Sequence, residues 1–472
     1  MDYKKIGFKS GIEIHQQLEG QKLFCNCPTI IRKVKPDFKF DRRLRASAGE
    51  SGKVDVAAAY EHQKGKLFTY WGYEDINCLV ELDEEPPNPI NKEALETALQ
   101  VASHLKCEIA DKIQVMRKTV VDGSNTSGFQ RTALIGRNGH VEVNGKKINI
   151  SSVCLEEEAC QVMKRTEEHD TYNLSRLGIP LIEIATDPDM TTPDECKEVA
   201  AKIGMILRST GKCKRGIGSI RQDVNISIKG GARTEIKGFQ DLKSIPKVVG
   251  NEIKRQQTLI KKGKKIAKEV RKAEADMTTS YLRPMPGASR MYPETDIPPI
   301  KPELKDFEEI ETIEEKTKRF VKEYNLNKDL ASVAVKHANK HKLNMERYFK
   351  KYAVQNTFIV ELFATIPKDI KKRFDKEVDP EPVADDILAK LDEGKIPTSS
   401  ITKLLTTYAD SGKLNFEKYR GLSEKELEKE IKKIVEKDSE APIGALMGQV
   451  MGKFRGKVEG KKVMQLLKKH KK

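Results

Sequence analysis

Glu13 and His15 stand two residues apart in Gly11-Ile12-Glu13-Ile14-His15, with an isoleucine before each of them. Because side chains alternate sides along a strand, this pattern predicts a strand whose isoleucines face a core while Glu13 and His15 face the opposite way. A strand face that carries an acid and an imidazole suits a hard cation beside a phosphate. Glu13 is close enough in sequence to orient His15 or to act on a substrate amine.

Two further strand-like segments carry acids, Leu155-Glu156-Glu157-Glu158 and Pro180-Leu181-Ile182-Glu183-Ile184. We expect His15, Glu156 and Glu183 to form a metal site, because Mg²⁺ prefers oxygen ligands, keeps several waters and takes few protein carboxylates beside a phosphate. The imidazole is the atypical ligand. The alternative is that His15 is a structural hydrogen-bonding residue, as an isolated histidine on a strand commonly is.

A loop of small polar residues lies between basic residues in the stretch from Arg117 to Arg131. Backbone amides and hydroxyls in such a loop can hold phosphate oxygens, although the chain has no Walker motif. An ordinary surface loop accounts for the same residues. The candidate phosphate-binding residues are Ser124, Asn125, Thr126, Ser127 and Gln130.

Polar residues also alternate along two successive strands on either side of Gly230-Gly231. If these strands pair as a hairpin, their cations and carboxylates face one pocket and are candidates for binding ATP or substrate. Cross-strand salt bridges would explain the same residues without a function. The candidate residues are Arg221, Asp223, Asn225, Glu235 and Lys237.

Cys25-Asn26-Cys27 is half of a possible zinc site, but no second pair at metal spacing follows and Cys78 stands alone. Two buried thiols are the simpler interpretation. The eight cysteines lack the density of a secreted disulfide scaffold, which predicts reduced thiols. No serine or cysteine nucleophile occurs in a recognisable catalytic context, so we predict no amidase machinery in this chain.

The composition predicts a globular protein with a polyanionic partner. Its 472 residues include 38% hydrophobic ones, and its net charge of +16 favours nucleic acid. A solvated, lysine-rich surface is the alternative. The chain has no run of about 18 apolar residues and its start lacks the apolar core of a signal peptide, which predicts a cytoplasmic protein without a membrane partner.

The first half, to about residue 245, is predicted to be strand-rich, with turns at Asn138-Gly139 and Asn144-Gly145. One helix interrupts it, from Pro193 to Arg208, with Thr192 as its N-cap. A second helix follows, with Val248, Val249, Ile253 and Ile260 as its buried stripe.

Five prolines between Arg283 and Pro299 exclude a regular helix or a central strand and predict an ordered loop or a linker. From Pro302 onward the apolar residues are spaced for amphipathic helices. The last part, from Ser439, is predicted to be a small basic helical tail.

Several motifs together resemble the family of E subunits found in archaeal glutamyl-tRNA(Gln) amidotransferases. This family is related to the B subunits of the bacterial enzymes, which have three subunits. The resemblance spans nearly the whole chain, and its last motif points to the E rather than the B type. The motifs are Ser10-Gly11-Ile12-Glu13-Ile14-His15, Leu23-Phe24-Cys25-Asn26-Cys27-Pro28-Thr29, Arg45-Ala46-Ser47-Ala48-Gly49-Glu50, Asp122-Gly123-Ser124-Asn125-Thr126-Ser127-Gly128-Phe129-Gln130, Leu177-Gly178-Ile179-Pro180-Leu181-Ile182-Glu183-Ile184 and Arg283-Pro284-Met285-Pro286-Gly287-Ala288-Ser289-Arg290-Met291-Tyr292-Pro293-Glu294-Thr295-Asp296.

The resemblance implies an α+β protein with a strand-rich cradle domain over 1–301, an α-helical domain over 302–410 and a small helical, tRNA-binding tail domain over 411–472. E subunits normally carry a domain-sized insertion like one in bacterial aspartyl-tRNA synthetases. Here only the few residues 262–268 span that point. We therefore expect this chain to lack the contacts that the insertion would make and to keep the cradle chemistry.

The family's reaction uses ATP and Mg²⁺ to phosphorylate the side-chain carboxyl of glutamate esterified to tRNA(Gln), and ammonia then displaces phosphate to give glutaminyl-tRNA. By motif position, His15, Glu156 and Glu183 resemble the family's magnesium ligands, and Glu13 lies in the same pocket. Glu13 and His15 are the expected catalytic residues. The implied partners are tRNA(Gln) charged with glutamate and a glutaminase, the D subunit, which supplies ammonia through a channel.

Two other functions stay open at this point. The chain could be the B subunit, as in the bacterial enzymes, which would also accept aspartyl-tRNA(Asn). It could also be a tRNA-binding module whose cradle has lost activity.

Overall fold

The protein consists of two compact units, Met1–Thr312 and Ile313–Lys472. The first unit contains the strands, and the described part of the second is helical, which confirms the predicted α+β class and order. The division at residues 301 and 410 stays a prediction. The computed structural model describes residues 2–46, 52, 54–239, 241–285, 291–303, 310–422, 424–454, 458 and 460–471.

The first unit alternates strands with four helices in its described part. The strands are β1 (Lys9–Gln17), β2 (Phe38–Arg42), β3 (Leu67–Gly72), β4 (Glu108–Ile109), β5 (Val115–Thr119), β6 (Phe129–Val143), β7 (Lys146–Glu157), β8 (Gln161–Arg165), β9 (His169–Asn173), β10 (Pro180–Thr186), β11 (Ile220–Ser227), β12 (Thr234–Lys237), β13 (Glu269–Ala273), β14 (Thr279–Pro284) and β15 (Met291–Pro293). The helices are α1 (Val56–Gln63), α2 (Lys92–His104), α3 (Pro193–Ser209) and α4 (Ile245–Lys261). The prediction that a single helix interrupts the first 245 residues is therefore wrong, since α1 and α2 precede α3.

Eleven of the described strands form one large sheet in the order β14-β13-β12-β11-β1-β10-β7-β6-β5-β15, with β4 beside β6. All pairs in it are antiparallel except β12 with β13. The predicted hairpin is confirmed, since β11 and β12 pair. Residues 262–268 join α4 to β13, the point where the resemblance places the insertion.

One face of the large sheet is apolar and forms the core of the first unit. Ile12 and Ile14 of β1 and Ile184 of β10 are at most 1% exposed and belong to one hydrophobic cluster with residues of α2, α3 and α4. Because side chains alternate along each strand, the residues between these isoleucines lie on the opposite, polar face. The apolar core thereby fixes which side chains face outward together.

Helix α3 begins and ends almost where the sequence predicted. Thr192 caps it by accepting a hydrogen bond from the Glu195 amide, and Pro193 occupies the first turn, where its missing N–H costs nothing. Helix α4 buries Val248, Val249 and Ile253 as predicted. These two helices contact each other beneath the sheet.

One of the two predicted turns is wrong. Asn144-Gly145 joins β6 to β7, and both residues have positive φ, as a tight hairpin turn requires. Asn138-Gly139 instead lies inside β6, which continues to Val143. Asn138 has a φ of 55° within the strand, a conformation that asparagine tolerates better than most residues.

A second sheet, in the order β2-β3-β9-β8, positions the loop that contains Ser124. Tyr70 on β3 and Tyr172 on β9 are fully buried and stacked, with ring centroids 5.9 Å apart. The Tyr70 hydroxyl donates to the Gly123 carbonyl at 2.8 Å, and the Tyr172 hydroxyl donates to the Asp122 carbonyl at 2.5 Å. These bonds fix the backbone just before Ser124.

The proline-rich segment from Arg283 to Pro299 holds more regular structure than the loop or linker predicted. Its described residues include the end of β14 and the short strand β15, which occupy the two edges of the large sheet. A proline is tolerated on an edge strand because its missing donor would face away from the ladder. Residues 286–290 lie outside the described part of the chain.

The described residues of the second unit form helices and short 3₁₀ turns, as predicted. One hydrophobic cluster includes Phe320, Ile359 and Leu404, and another includes Leu427, Leu446 and Leu467. No helix among the described residues of the whole chain has the length and apolar character needed to span a membrane. The helices are α5 (Ile313–Tyr324), α6 (Lys328–His341), α7 (Met345–Lys351), α8 (Asn356–Ala364), α9 (Ile366–Phe374), α10 (Ala384–Asp392), α11 (Ile401–Ser411), α12 (Glu424–Lys437), α13 (Ile443–Phe454) and α14 (Gly460–His470).

Glu346 on α7 joins two helices of this unit through one carboxylate. Arg319 on α5 donates to it at 3.0 and 2.7 Å, and the Tyr324 hydroxyl donates at 3.1 Å. The hydrogen bonds from Arg319 are the main reason why the pKa of Glu346 falls to about 2. Glu346→Gln is therefore expected to destabilise the second unit by about 1–3 kcal/mol at neutral pH, discounted for partial exposure.

This contribution depends on pH in one direction. A carboxylate whose folded pKa is below its unfolded value contributes fully above the unfolded pKa, near 4.5, and the contribution disappears as the pH falls through the folded value of about 2. Urea unfolding followed by circular dichroism at 222 nm should separate the wild type from Glu346→Gln at pH 6.5 and bring them together near pH 2. Equal midpoints at pH 6.5 would contradict the assignment.

Candidate functional site

The centre of the polar face is strand β1, which lies between β10 and β11. In register, His15 stands opposite Glu183 of β10 and Arg221 of β11, while Glu13 stands opposite Asp223. Residues directly opposite each other in an antiparallel pair share a face. The strand pairing therefore places these charged side chains side by side.

Glu156 reaches the same place from β7, where it stands opposite Leu181 of β10. One ligand atom from each of His15, Glu156 and Glu183 lies within 4.8 Å of the other two. The structure thus brings together the three side chains predicted as metal ligands, from strands far apart in sequence. Their role as ligands stays a prediction.

His15 and Glu183 form a hydrogen bond between two largely buried side chains. His15 Nε2 lies 3.1 Å from Glu183 Oε2, and the two side chains are 13% and 19% exposed. Burial disfavours the charged imidazole, but the hydrogen bond and charge of Glu183, with Asp223 and Glu156, raise the pKa of His15. Burial likewise opposes ionisation of Glu183, and Lys118 and His15 outweigh it and lower the pKa of that carboxyl.

Lys118 is a site residue that the sequence pattern did not single out. Its Nζ lies 2.5 Å from Glu156 Oε1 and 3.9 Å from Glu183 Oε2. The hydroxyl of Thr132 also donates to Glu156 Oε1, at 2.9 Å. Lys118 is on β5, three strands from β10, and only the lateral order β10-β7-β6-β5 brings it to these acids.

A second charged group surrounds Glu13. Asn225 Nδ2 donates to Glu13 Oε1 at 3.0 Å, and Lys237 Nζ lies 2.5 Å from Asp223 Oδ2 and also contacts Glu235. Burial, followed by the charge of Glu235, raises the pKa of Glu13. The pKa of Lys237 is also raised, because the charges of Asp223, Glu235 and Glu13 outweigh its burial.

Glu13, His15 and Asp223 also present ligand atoms within 4.8 Å of one another. Two groups of possible ligands therefore share His15. Four of the five hairpin residues predicted for ATP or substrate, Asp223, Asn225, Glu235 and Lys237, lie around Glu13.

Arg221, the fifth, forms a bidentate pair with Glu158. Its two Nη atoms lie 2.6 and 3.0 Å from the Glu158 oxygens, and Gln17 Nε2 donates to the same carboxylate at 2.9 Å. Burial raises the pKa of Glu158, but the charges of Arg221 and Arg176 lower it to about 2. Arg221 is thus held by a carboxylate that stays ionised, while its side chain is 38% exposed.

The side chains of the predicted phosphate loop have different partners. Asn125 donates to the Phe129 carbonyl at 3.0 Å and Thr126 to the Glu81 carbonyl at 2.6 Å, and both are at most 3% exposed. Ser124 donates to Asp122 and Ser127 to the Phe129 carbonyl. These bonds stabilise the loop backbone, whose contact with phosphate stays a prediction.

Gln130 is the loop residue that reaches the predicted metal ligands. Its Nε2 donates to Glu156 Oε2 at 3.1 Å and to the Glu157 carbonyl at 2.7 Å. Gln130 stands opposite Lys118 in the pairing of β5 with β6. The end of the loop is therefore connected to the charged centre of the polar face.

The cysteine pair does have partners in space. Ligand atoms of Cys25, Cys27, Cys78 and Glu81 all lie within 4.8 Å of one another, and Cys25 Sγ lies 2.7 Å from Glu81 Oε1. Hydrogen bonds from Cys25 and Cys27 lower the pKa of Cys78. Three sulfurs and a carboxylate could hold a tetrahedral zinc ion. The expectation that Cys78 stands alone is wrong, because the fold brings Cys78 and Glu81 next to the cysteine pair although they are distant from it in sequence.

The polar face presents a set of donor atoms that suits a divalent cation. One imidazole and two carboxylates offer three ligands, which leaves positions for water and phosphate oxygens as Mg²⁺ requires. The Lys118 ammonium lies near both carboxylates, which shows that these two acids attract a cation. The residues present therefore fit a divalent cation.

Comparison with known proteins gives the family. Residues 8–308 match the GatB/GatE catalytic domain and residues 343–470 match the GatB domain. The chain is 36% identical to the E subunit of the glutamyl-tRNA(Gln) amidotransferase of Methanococcus maripaludis strain C7 over 572 aligned positions, which cover 90% of each chain. It is 36% identical to the corresponding protein of Methanocaldococcus jannaschii over 91% of each chain.

The corresponding protein of Archaeoglobus fulgidus is 40% identical over 70% of this chain and 75% of its own. The first alignment runs over 572 positions whereas this chain has 472 residues, so part of the relative has no counterpart here. The matched domains include every strand of the polar face. The chain therefore belongs to the GatB/GatE family and is a GatE of the archaeal type, a component of a tRNA-dependent amidotransferase.

Proposed function

We propose that the polar face is the synthetase and transamidase site of glutamyl-tRNA(Gln) amidotransferase. The observation that carries the proposal is the convergence of His15, Glu156 and Glu183 within 4.8 Å. The relatives' name supplies the substrate, glutamyl-tRNA(Gln). The reaction phosphorylates the side-chain carboxylate of the esterified glutamate with ATP and then replaces phosphate with ammonia.

The two steps follow from the chemistry of a carboxylate. A carboxylate is a poor electrophile, so a carboxylate oxygen first attacks the γ-phosphorus of ATP and ADP leaves. Ammonia then attacks the carbonyl carbon of the acyl phosphate, the C–O bond to phosphate breaks, and the nitrogen loses a proton. In this proposal Glu13, whose pKa is raised by burial, takes that proton or orients the amine.

His15, Glu156 and Glu183 would hold Mg²⁺, which when bound neutralises charge on the transferred phosphoryl group. Lys118 adds a second positive charge, since its ammonium lies between the two acids. Ser124, Asn125, Thr126, Ser127 and Gln130 bind ATP phosphates in this proposal. Arg221, Asp223, Asn225, Glu235 and Lys237 bind and orient substrate.

Ammonia comes in this proposal from a separate glutaminase, the D subunit, through a channel between the two proteins. The tRNA is held electrostatically by the basic second unit, an interaction that weakens steeply with salt. The net charge of +16 is consistent with such a partner.

The decisive experiment supplies ammonia directly. The full chain is mixed with glutamyl-tRNA(Gln), ATP, Mg²⁺ and ammonium chloride, and glutaminyl-tRNA is measured; product that requires both ATP and Mg²⁺ is expected. No product, even with glutaminase present, would refute the proposal. Amidation of aspartyl-tRNA(Asn) would favour the alternative that the chain acts as a B subunit. Binding of tRNA without ATP turnover would favour a non-catalytic tRNA-binding module.

Lys118 gives a more specific prediction. Lys118→Met is expected to slow ATP-dependent amidation about 10²-fold, because it removes a charge placed where phosphoryl charge develops. Binding of Mn²⁺, followed by its electron paramagnetic resonance signal, should persist because the three predicted ligands remain. Lys147→Met, an exposed change on β7 of the same sheet, is the matched control. A normal rate for Lys118→Met would remove Lys118 from the reaction.

A further inference from the structure

A cavity of about 530 Å³ lies in the second unit, outside the residues assigned above. We call it the α6–α9 cavity, after the helices that form much of its wall. Its basic lining residues are three lysines and two histidines, Lys336, His337, Lys340, His341 and Lys368. A volume of this size is in the range of small-molecule sites, about 300–1,000 Å³.

Helix periodicity places two of these lysines and both histidines on one side of α6. Residues 336, 337, 340 and 341 are spaced by one, three and one, so they share a face over little more than one turn. Lys368, in the first turn of α9, lines the cavity with them. Lys336, Lys340 and Lys368 are exposed and form no ion pair with any described residue.

Lysines outnumber acids in the cavity lining, three to two. His337 is half-buried, and this burial together with the charges of His341, Lys368 and Lys340 lowers its pKa to about 4. Asp379 acts in the opposite direction, and Glu381 is the other acid in the lining. An anion placed here would meet three lysines and stabilise the protonated form of His337.

The cavity also offers flat and apolar surfaces. The rings of His337 and His341 are stacked, with centroids 4.3 Å apart and planes inclined by 26°. Phe363, Pro367 and Val378 contribute apolar lining. Nucleobases stack on imidazole and other aromatic faces, whereas phosphate groups bind to lysine. A ligand that carries both a nucleobase and a phosphate can therefore contact the ring and apolar lining as well as the lysines.

We propose that the α6–α9 cavity binds a nucleotide, with its phosphate at the lysines and its base against the imidazole and apolar walls. The nucleotide is either a free mononucleotide or an unpaired nucleotide of an RNA chain. The RNA form of this inference rests on the proposed tRNA contact of the second unit, whereas the free mononucleotide does not. Neither form needs the cradle reaction, because all the residues involved belong to the second unit.

The test observes the cavity directly in the full-length chain. The eight histidines are labelled with ¹³C at Cε1, and the His337 and His341 signals are assigned from His337→Gln and His341→Gln. The protein is titrated with adenosine monophosphate, a hexauridylate and inorganic phosphate. Either nucleotide probe should shift both signals and raise the pH midpoint of His337, and phosphate alone should bind more weakly.

Matched variants separate this site from nucleotide binding in the cradle. Lys336→Ala/Lys340→Ala is expected to weaken the titration about tenfold, as the loss of charge-assisted contacts does. Lys328→Ala/Lys350→Ala removes the same charge at exposed positions outside the cavity and should leave the affinity unchanged. Far-ultraviolet circular dichroism of both double variants checks folding.

The outcomes are distinct. Response to the mononucleotide identifies a free ligand, whereas response to the hexauridylate alone identifies RNA. Unshifted histidine signals with both nucleotide probes, equal affinities in the two double variants, or phosphate binding as tightly as the nucleotides would each overturn the proposal.

Discussion

Glu183→Gln is expected to lower glutaminyl-tRNA formation about 10²- to 10³-fold in a single-turnover assay with ATP and ammonium chloride. Glutamine keeps the size of the side chain but removes its negative charge. Glu183 accepts the hydrogen bond of His15 at 3.1 Å and lies 3.9 Å from Lys118. The change therefore removes the negative charge that attracts Lys118, stabilises protonated His15 and would help to hold a divalent ion.

The control for this prediction is Glu142→Gln, which makes the same chemical change at an exposed position of β6. Its rate should equal that of the wild type. Binding of the tRNA by both variants should be unchanged, because the loss concerns the reacting groups. A Glu183→Gln rate within tenfold of the wild-type rate would show that Glu183 is a structural partner of His15 only.

Glu294→Ala is expected to destabilise the first unit by about 3–5 kcal/mol, because it leaves the buried Arg131 and the partly buried Arg117 without their shared partner. The Glu294 side chain is fully buried. Its Oε2 lies 2.7 Å from Arg131 Nε, and its Oε1 lies 2.5 Å from Arg117 Nη2. Burial raises the pKa of Glu294, but its hydrogen bonds, chiefly from Arg117, lower it to about 2.

Urea unfolding measures this effect. The chain has one tryptophan, Trp71, which lies on β3 of the first unit, so its fluorescence reports the unfolding of that unit. The midpoint should fall with little change in the dependence on urea. Glu142→Ala removes an exposed carboxylate and should change the stability by no more than about 0.5 kcal/mol. A similarly small change for Glu294→Ala would mean that Arg131 finds sufficient compensation in Glu157, 3.6 Å away.

Local sequence patterns were sufficient for much of the first unit. The alternation of Ile12 and Ile14 with Glu13 and His15 predicted the two faces of β1, because a strand has a fixed period of two. The N-cap and first-turn proline of α3 are likewise local signals. Asn138-Gly139 shows the limit of local patterns. Asn144-Gly145 forms a turn, whereas the identical dipeptide Asn138-Gly139 continues as a strand because neighbouring strands pair with it.

The motifs also led to the family, and the family to the three predicted metal ligands. Period-two alternation alone left His15 open as a structural residue, because it says which face a side chain occupies but not which strand lies beside it. His15, Glu156 and Glu183 are separated by many residues in sequence. Their meeting depends on the order β1-β10-β7, which is set by packing of the apolar face on α2, α3 and α4.

The amino-acid sequence by itself determined the faces of the strands, the caps of the helices and the charge of the protein, because these depend on neighbours a few residues apart. Tertiary structure alone decided that Lys118 lies between Glu156 and Glu183, and that Cys78 and Glu81 join Cys25 and Cys27. It also placed three lysines and two histidines around one cavity in the second unit. Such groupings depend on the lateral order of strands and on helix packing. Both are set by burial of apolar surface contributed by residues from the whole unit.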